Sequence, residues 1–154
     1  MSARFDPSAL SPQGYRAMLA MEGYLASSGL EARLIHLLKL RVSQMNGCAF
    51  CIDMHWKDLR ADGEGEQRLY GLDAWREAPY YSDRERAALE WAESLTRITS
   101  GHVPDAVYES TRAHFSEKEI SDLMFVVITI NAWNRLAISA RTEPGTYQPI
   151  RRAT

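Results

Sequence analysis

The chain has 154 residues and a net charge of -2 with both signs mixed, so it carries no electrostatic footprint for nucleic acid or for an anionic membrane surface. That length suits one domain, 1–154, with a core large enough to need neither disulfide staples nor a structural metal. No run approaches the roughly 18 consecutive apolar residues of a membrane span, and the opening MSARFDPSAL lacks a basic region followed by an apolar run, so the expected location is the cytoplasm.

Asp6, Pro7 and Ser8 start the first predicted helix, which carries Tyr15, Met18, Leu19, Tyr24 and Leu25 and stops at Gly29. A second runs from about Glu31 to Met45. Its apolar residues, among them Leu34, Ile35, Leu37, Leu38, Leu40 and Val42, lie almost all round it, which predicts burial on more than one face. Lys39 and Arg41 then need partners or a path to solvent. Asn46 and Gly47, both tolerant of positive φ, interrupt this helix.

The third helix begins near Cys48 and runs to Gly63, with Cys48, Cys51, Ile52, His55 and Leu59 on one narrow stripe. A shorter helix from Glu64 to Leu72 follows, then an irregular piece from Trp75 to Pro79. Ser82 and Glu85 have the spacing of a capping box and open a long helix closed near Gly101. Asp105 caps a short helix carrying Val107, Tyr108 and His114. Ser116 and Glu119 repeat the capping box and open a last helix from Glu117 to Arg141. Within it, Met124 to Ile130 is rich in β-branched residues, but its flanks are helical in period. The tail from Thr142 to Thr154 is expected to be extended or poorly ordered. The fold class is all-α, with about six or seven helices.

The chemistry concentrates in NGCAFCIDMH, Asn46 to His55, which holds both cysteines and one of the four histidines. In a reducing cytosol a CxxC pair is more often catalytic, redox-sensing or metal-binding than a permanent staple. Cysteines at i and i+3 on a helix hold their Cβ atoms about 5 to 6 Å apart, whereas a relaxed disulfide wants about 3.5 to 4.5 Å, so closing the bond is expected to distort the first turn. Such a pair favours a cycling dithiol. Free amides at a helix start favour thiolate, most of all at the earlier cysteine, Cys48. His55, on the same side of the helix, is placed to take a thiol proton or to stabilise the thiolate.

NGCAFCIDMH, preceded by LLKLRVSQM and followed by WKDLRADGEGEQRL, resembles the core of the alkylhydroperoxidase D and carboxymuconolactone decarboxylase family, in its CxxCxxxH branch. The AWRE run at Ala74 to Glu77, the SDRERAALEWAESLT helix and the INAWNR segment at Ile130 to Arg135 extend the resemblance over nearly the whole chain. It implies an all-helical homo-oligomer, trimer or hexamer, with thiol peroxidase activity. It also implies that Cys51 is the cysteine attacked by peroxide, Cys48 its resolving partner and His55 a relay histidine. Two positions depart from the family pattern. His36 stands where the family has a glutamate twelve residues before the first cysteine, and Phe50 where it has a histidine before the second. If the Asn46 and Gly47 break folds the two helices antiparallel, His36 and His55 lie at similar heights, roughly 12 to 15 Å from the turn. His36 is then either a relay member or a structural residue.

The expected function is a thiol-dependent hydroperoxide reductase cycling through a Cys48–Cys51 disulfide. Its substrate is a hydroperoxide and its reductant a thioredoxin-like or lipoyl dithiol protein. The alternative is a redox-sensing or structural helical oligomer with little turnover. A metal site from His36, Cys48, Cys51 and His55 has the right ligand count, but the separation of its first ligand does not match the close pairs of zinc modules, so no metal is expected. A thioredoxin-like oxidoreductase needs a βαβ setting that these helices do not supply. No pattern calls for haem, flavin or a nucleotide cofactor. Trp133, Asn134 and Arg135 read first as packing or subunit contacts and second as substrate-facing. Trp75, Trp91 and Tyr108 read as core.

Overall fold

A computed structural model describes residues 2–149. Among them the chain is all-helical, with no strand. The helices are α1 (Pro7–Leu10), α2 (Pro12–Ala26), α3 (Ala32–Asn46), α4 (Ala49–Ala61), α5 (Glu66–Tyr70), a 3₁₀ turn (Leu72–Ala74), α6 (Asp83–Thr96), α7 (Asp105–Arg112) and α8 (Glu117–Ala140). The expected six or seven become eight α-helices for a local reason. Pro12 has no N–H and disfavours the helical conformation at the residue before it, so Ser11 (φ -133°, ψ 61°) divides the first predicted helix in two.

Helix α3 is central, packing against α4, α6 and α8. Leu34, Ile35, Leu37, Leu38, Leu40 and Val42 are all buried, as an apolar pattern on every side requires. Its two buried basic residues find internal partners. Lys39 pairs with Glu22 of α2. Arg41 donates from Nε to Glu93 Oε1 at 2.7 Å and also pairs with Asp73. Glu93, in α6, further accepts from Trp75 Nε1 at 2.8 Å and from Arg76 at 2.6 Å. Burial alone would raise its carboxyl, but these three donors hold it below the ordinary carboxylate value.

Both capping boxes form as the spacing predicts, Ser82 with Glu85 and Ser116 with Glu119. Other boundaries move. Helix α6 ends at Thr96 rather than near Gly101, and α7 starts at Asp105 after an N-cap at Pro104 and stops before His114. The β-branched run in α8 is helical. By length and mean hydropathy, 1.4 over its most apolar window, α8 would suffice to cross a membrane. Here Leu123, Val126, Val127 and Ile130 serve the bundle core instead, and α8 also buries Asp122 and Asn134. Tyr24 Oη donates to Asp122 at 2.6 Å.

The segment after α8 has neither helix nor strand up to residue 149, yet it is tied to α4. Tyr147 Oη donates to Asp58 Oδ1 at 2.6 Å, and Lys57 Nζ reaches the carbonyls of Gly145 and Tyr147 at 3.1 and 3.0 Å. The rest of the predicted tail, 150–154, lies outside the described residues. Trp75 and Trp91 are buried, and Tyr108 packs against the core cluster, as expected.

A candidate dithiol and histidine site

Gly47 ends α3 in the left-handed conformation (φ 68°), which a side chain resists, and its own N–H bonds back to Gln44 and Ser43 carbonyls. The Cys48 N–H returns to Ser43 O at 3.0 Å. On the α8 side, Asn46 Nδ2 donates to Asn134 Oδ1 at 2.8 Å and Asn131 Oδ1 at 3.0 Å, and Asn134 Nδ2 donates to Ser43 Oγ at 3.0 Å. The break is thus held from both flanks, and the chain leaves it in a fixed direction.

Cys48 is the N-cap of α4, with extended backbone (φ -84°, ψ 94°), and Cys51 is the third helical residue. Because Cys48 stands outside the helix, the two cysteines approach with Cα atoms 5.4 Å apart, inside the usual disulfide range, while the helix stays regular. Their sulfurs are 2.50 Å apart. The Cys51 N–H donates to Cys48 Sγ at 3.4 Å, so the helix start does direct an amide at the earlier cysteine. Both residues are buried, but only Cys51 lines a cavity of about 420 Å³.

That cavity is bounded by α2, α3, α4 and α8. Tyr15, Leu19, Phe50, Met54, Trp133 and Leu136 are among its apolar walls, and Asp6, Glu22, His36, Lys39, His55, Asp58 and Thr142 supply the polar ones. Of the predicted site residues, Cys51, His55 and His36 therefore meet here, with Cys48 directly behind Cys51. His36 Nδ1 and His55 Nδ1 are 3.3 Å apart. Burial lowers the His55 pKa well below its ordinary value, helped by Lys39 and by His36; burial lowers His36 too, against the pull of Asp58. His55 Nε2 is buried with no hydrogen-bond partner among the described residues.

Several cavity residues were not singled out from the sequence. Asp58 stands one turn beyond His55, a helical spacing that places both on one face, and that signal was available. Glu22 was not legible. It holds Lys39 on one side and accepts from Trp133 Nε1 at 2.9 Å on the other, joining residues 111 positions apart. Trp133 packs against the core cluster and also lines the cavity, with Tyr15 edge-on at 5.2 Å. Asn134 is a buried structural residue, and Arg135 is exposed.

An all-helical bundle with a close cysteine pair at a helix start and a histidine one turn on is the arrangement that the sequence resemblance implies. The chain belongs to the carboxymuconolactone decarboxylase family, whose model matches residues 12–94, and within it to the AhpD-like proteins. It is 47% identical over 139 residues to the uncharacterized protein YdfG of Bacillus subtilis (strain 168), covering 90% of this chain and 95% of that one. It is similar in structure to ATU0492 of Agrobacterium tumefaciens, a protein of unknown function suggested to be the antioxidant defence protein AhpD. There the TM-score is 0.91 and the identity 44%, over 95% of this chain and 100% of that chain. An uncharacterized peroxidase-related protein of Ralstonia eutropha JMP134, with an AhpD core, shares the fold at 22% identity and a TM-score of 0.80, over 90% of this chain and 74% of that one.

Proposed function

We propose that the protein is a thiol-dependent hydroperoxide reductase that cycles through a Cys48–Cys51 disulfide. One observation carries this reading: Cys51 opens on the same cavity as His55 and His36, while its close partner Cys48 stands behind it. The family membership and the suggested antioxidant role of the Agrobacterium relative support it.

In the reaction, the imidazole of His55 accepts the Cys51 thiol proton, and the thiolate attacks the terminal oxygen of the hydroperoxide. An S–O bond forms, the O–O bond breaks, and the departing alkoxide takes a proton to leave as alcohol. Cys51 is now a sulfenic acid. The Cys48 thiolate then attacks the Cys51 sulfur, the S–S bond forms, and the oxygen leaves as water. A dithiol protein of thioredoxin or lipoyl type reduces the disulfide by exchange and is itself oxidised. His36 passes protons between His55 and the cavity. Phe50, at the position of a family histidine, contributes an apolar wall and no proton.

The apolar walls favour an organic hydroperoxide over hydrogen peroxide. The setting is a cytoplasmic homo-oligomer, trimer or hexamer. Ile128 and Ile138, 51% and 46% exposed on α8, are surfaces that association would cover. Light scattering after gel filtration tests the assembly.

The decisive experiment is stopped-flow consumption of cumene hydroperoxide by prereduced protein, with a sulfenic-acid trap added to Cys48→Ser and Cys51→Ser. The adduct is expected on Cys48→Ser alone. An adduct on Cys51→Ser alone reverses the two roles, and no consumption above the double variant removes the enzyme reading in favour of a redox-sensing oligomer.

A further inference from the structure

His36 Nδ1, His55 Nδ1 and Asp58 Oδ2 converge more closely than a proton relay needs. Their separations are 3.3 Å between the two nitrogens, 3.7 Å from His36 to Asp58 and 3.8 Å from His55 to Asp58. A point equidistant from the three atoms lies about 2.1 Å from each, which is the length of a zinc–imidazole or zinc–carboxylate bond.

The metal-free arrangement leaves these atoms poorly served. Two imidazole nitrogens that face each other share a single proton, and the carboxylate oxygen stands too far from either to accept a hydrogen bond. Asp58 Oδ2 accepts none from the other described residues either, since Tyr147 bonds to Oδ1. On the far side of the ring, His55 Nε2 is buried and has no partner among the described residues. Three lone-pair donors thus point at one another with one proton among them.

The surroundings suit a cation. Lys39 is the opposing charge, and Glu22 neutralises it. Asp58 and Asp62 set negative charge against His36, while at His55 Lys39 is the charge that acts. The donors are also held in place. His55 and Asp58 sit one turn apart on α4, which packs closely against the α3 helix that carries His36. Tyr147 fixes the carboxylate from behind, as outer-shell donors do at metal centres.

We propose that His36, His55 and Asp58 form a three-ligand site for a divalent first-row transition cation that prefers nitrogen, of which zinc and cobalt are the practical probes. Two imidazoles and one carboxylate leave further positions to water or a small anion. This donor set differs from the cysteine-containing one weighed from the sequence, because Cys48 and Cys51 are engaged with each other. It holds whether or not the protein turns over peroxide, since binding is read without peroxide present.

The test is titration of cobalt(II) into chelator-treated, full-length oxidised protein at neutral pH, followed by displacement with zinc(II). One equivalent is expected, with visible ligand-field bands of nitrogen and oxygen ligation and without the near-ultraviolet charge-transfer band that thiolates add. Asp58→Asn, which keeps an acceptor for Tyr147, and His36→Gln are each expected to weaken binding by tenfold or more. Cys48→Ser/Cys51→Ser is expected to bind as the parent does. Melting curves confirm that the variants are folded. Absence of saturable binding, unchanged affinity in both Asp58→Asn and His36→Gln, or loss of binding in the double cysteine variant overturns the proposal.

Discussion

His36 and His55, nineteen residues apart in the chain, face each other through Nδ1 atoms 3.3 Å apart across the α3–α4 pair. His55 is buried and His36 half-buried, and in their neutral state one Nδ1 donates and the other accepts. A proton moved at one ring therefore changes what the other can do. His36, which stands in place of a family glutamate, is in contact with the histidine proposed as the relay, and this relationship frames the first test.

His55→Gln is expected to slow hydroperoxide reduction by about 10²-fold or more, the usual range for losing a general base. His36→Gln, one step further from the sulfur, is expected to lose about tenfold. Stopped-flow rates with prereduced protein measure both. Equal and small effects would assign the pair to structure.

Gly47→Ala places a side chain at φ 68° in the turn that ends α3 and delivers Cys48. A loss of about 1 kcal/mol is expected, since an L-residue there is strained. For a chain of this size that lowers the melting temperature by about 2–4 °C. Thermal unfolding followed by circular dichroism checks it, and an unchanged midpoint would mean that the turn relaxes.

Glu93→Gln leaves the Arg41 and Arg76 guanidiniums without their shared carboxylate. Breaking a buried charge pair in this way costs about 3 kcal/mol at neutral pH. The pH dependence has a definite sign. The Glu93 carboxyl is held below its ordinary value in the fold, so its contribution is complete above the unfolded carboxylate pKa of about 4.3 and is lost as pH falls through the lower folded value. Urea unfolding at several pH values should therefore show the gap between parent and variant closing only in acid, below about pH 4. A gap that stays constant down to pH 3 would refute the assignment.

Leu59→Ala removes a fully buried side chain from α4, on the stripe that also carries Cys51 and His55. About 2–5 kcal/mol of stability should be lost. Denaturant unfolding at neutral pH gives the value, and a loss under about 1 kcal/mol would mean that the core closes over the cavity.

The helix starts at Ser82 and Ser116, the break at Gly47 and the stripe of Cys51, His55 and Leu59 were all legible in the chain. Each depends on residues within about four positions of one another, where helical geometry alone decides who is adjacent. Even the polyvalent burial of α3 was written in its all-round leucines. The split at Ser11 is equally local, since Pro12 opens α2 and disfavours helical backbone at the residue before it.

Other features had no local signal. Whether His36 faces solvent or His55, and whether Glu22 holds Lys39 while accepting from Trp133, depends on how α2, α3, α4 and α8 pack. The return of Tyr147 to Asp58 depends on the path of the chain after α8. The sequence by itself determined the helices, their ends and the dithiol at the start of one of them, because hydrogen bonds and side-chain spacing within a turn are short-range. Only the tertiary structure decided what surrounds that dithiol. A cavity and a convergence of two imidazoles with a carboxylate exist only once distant helices share one core.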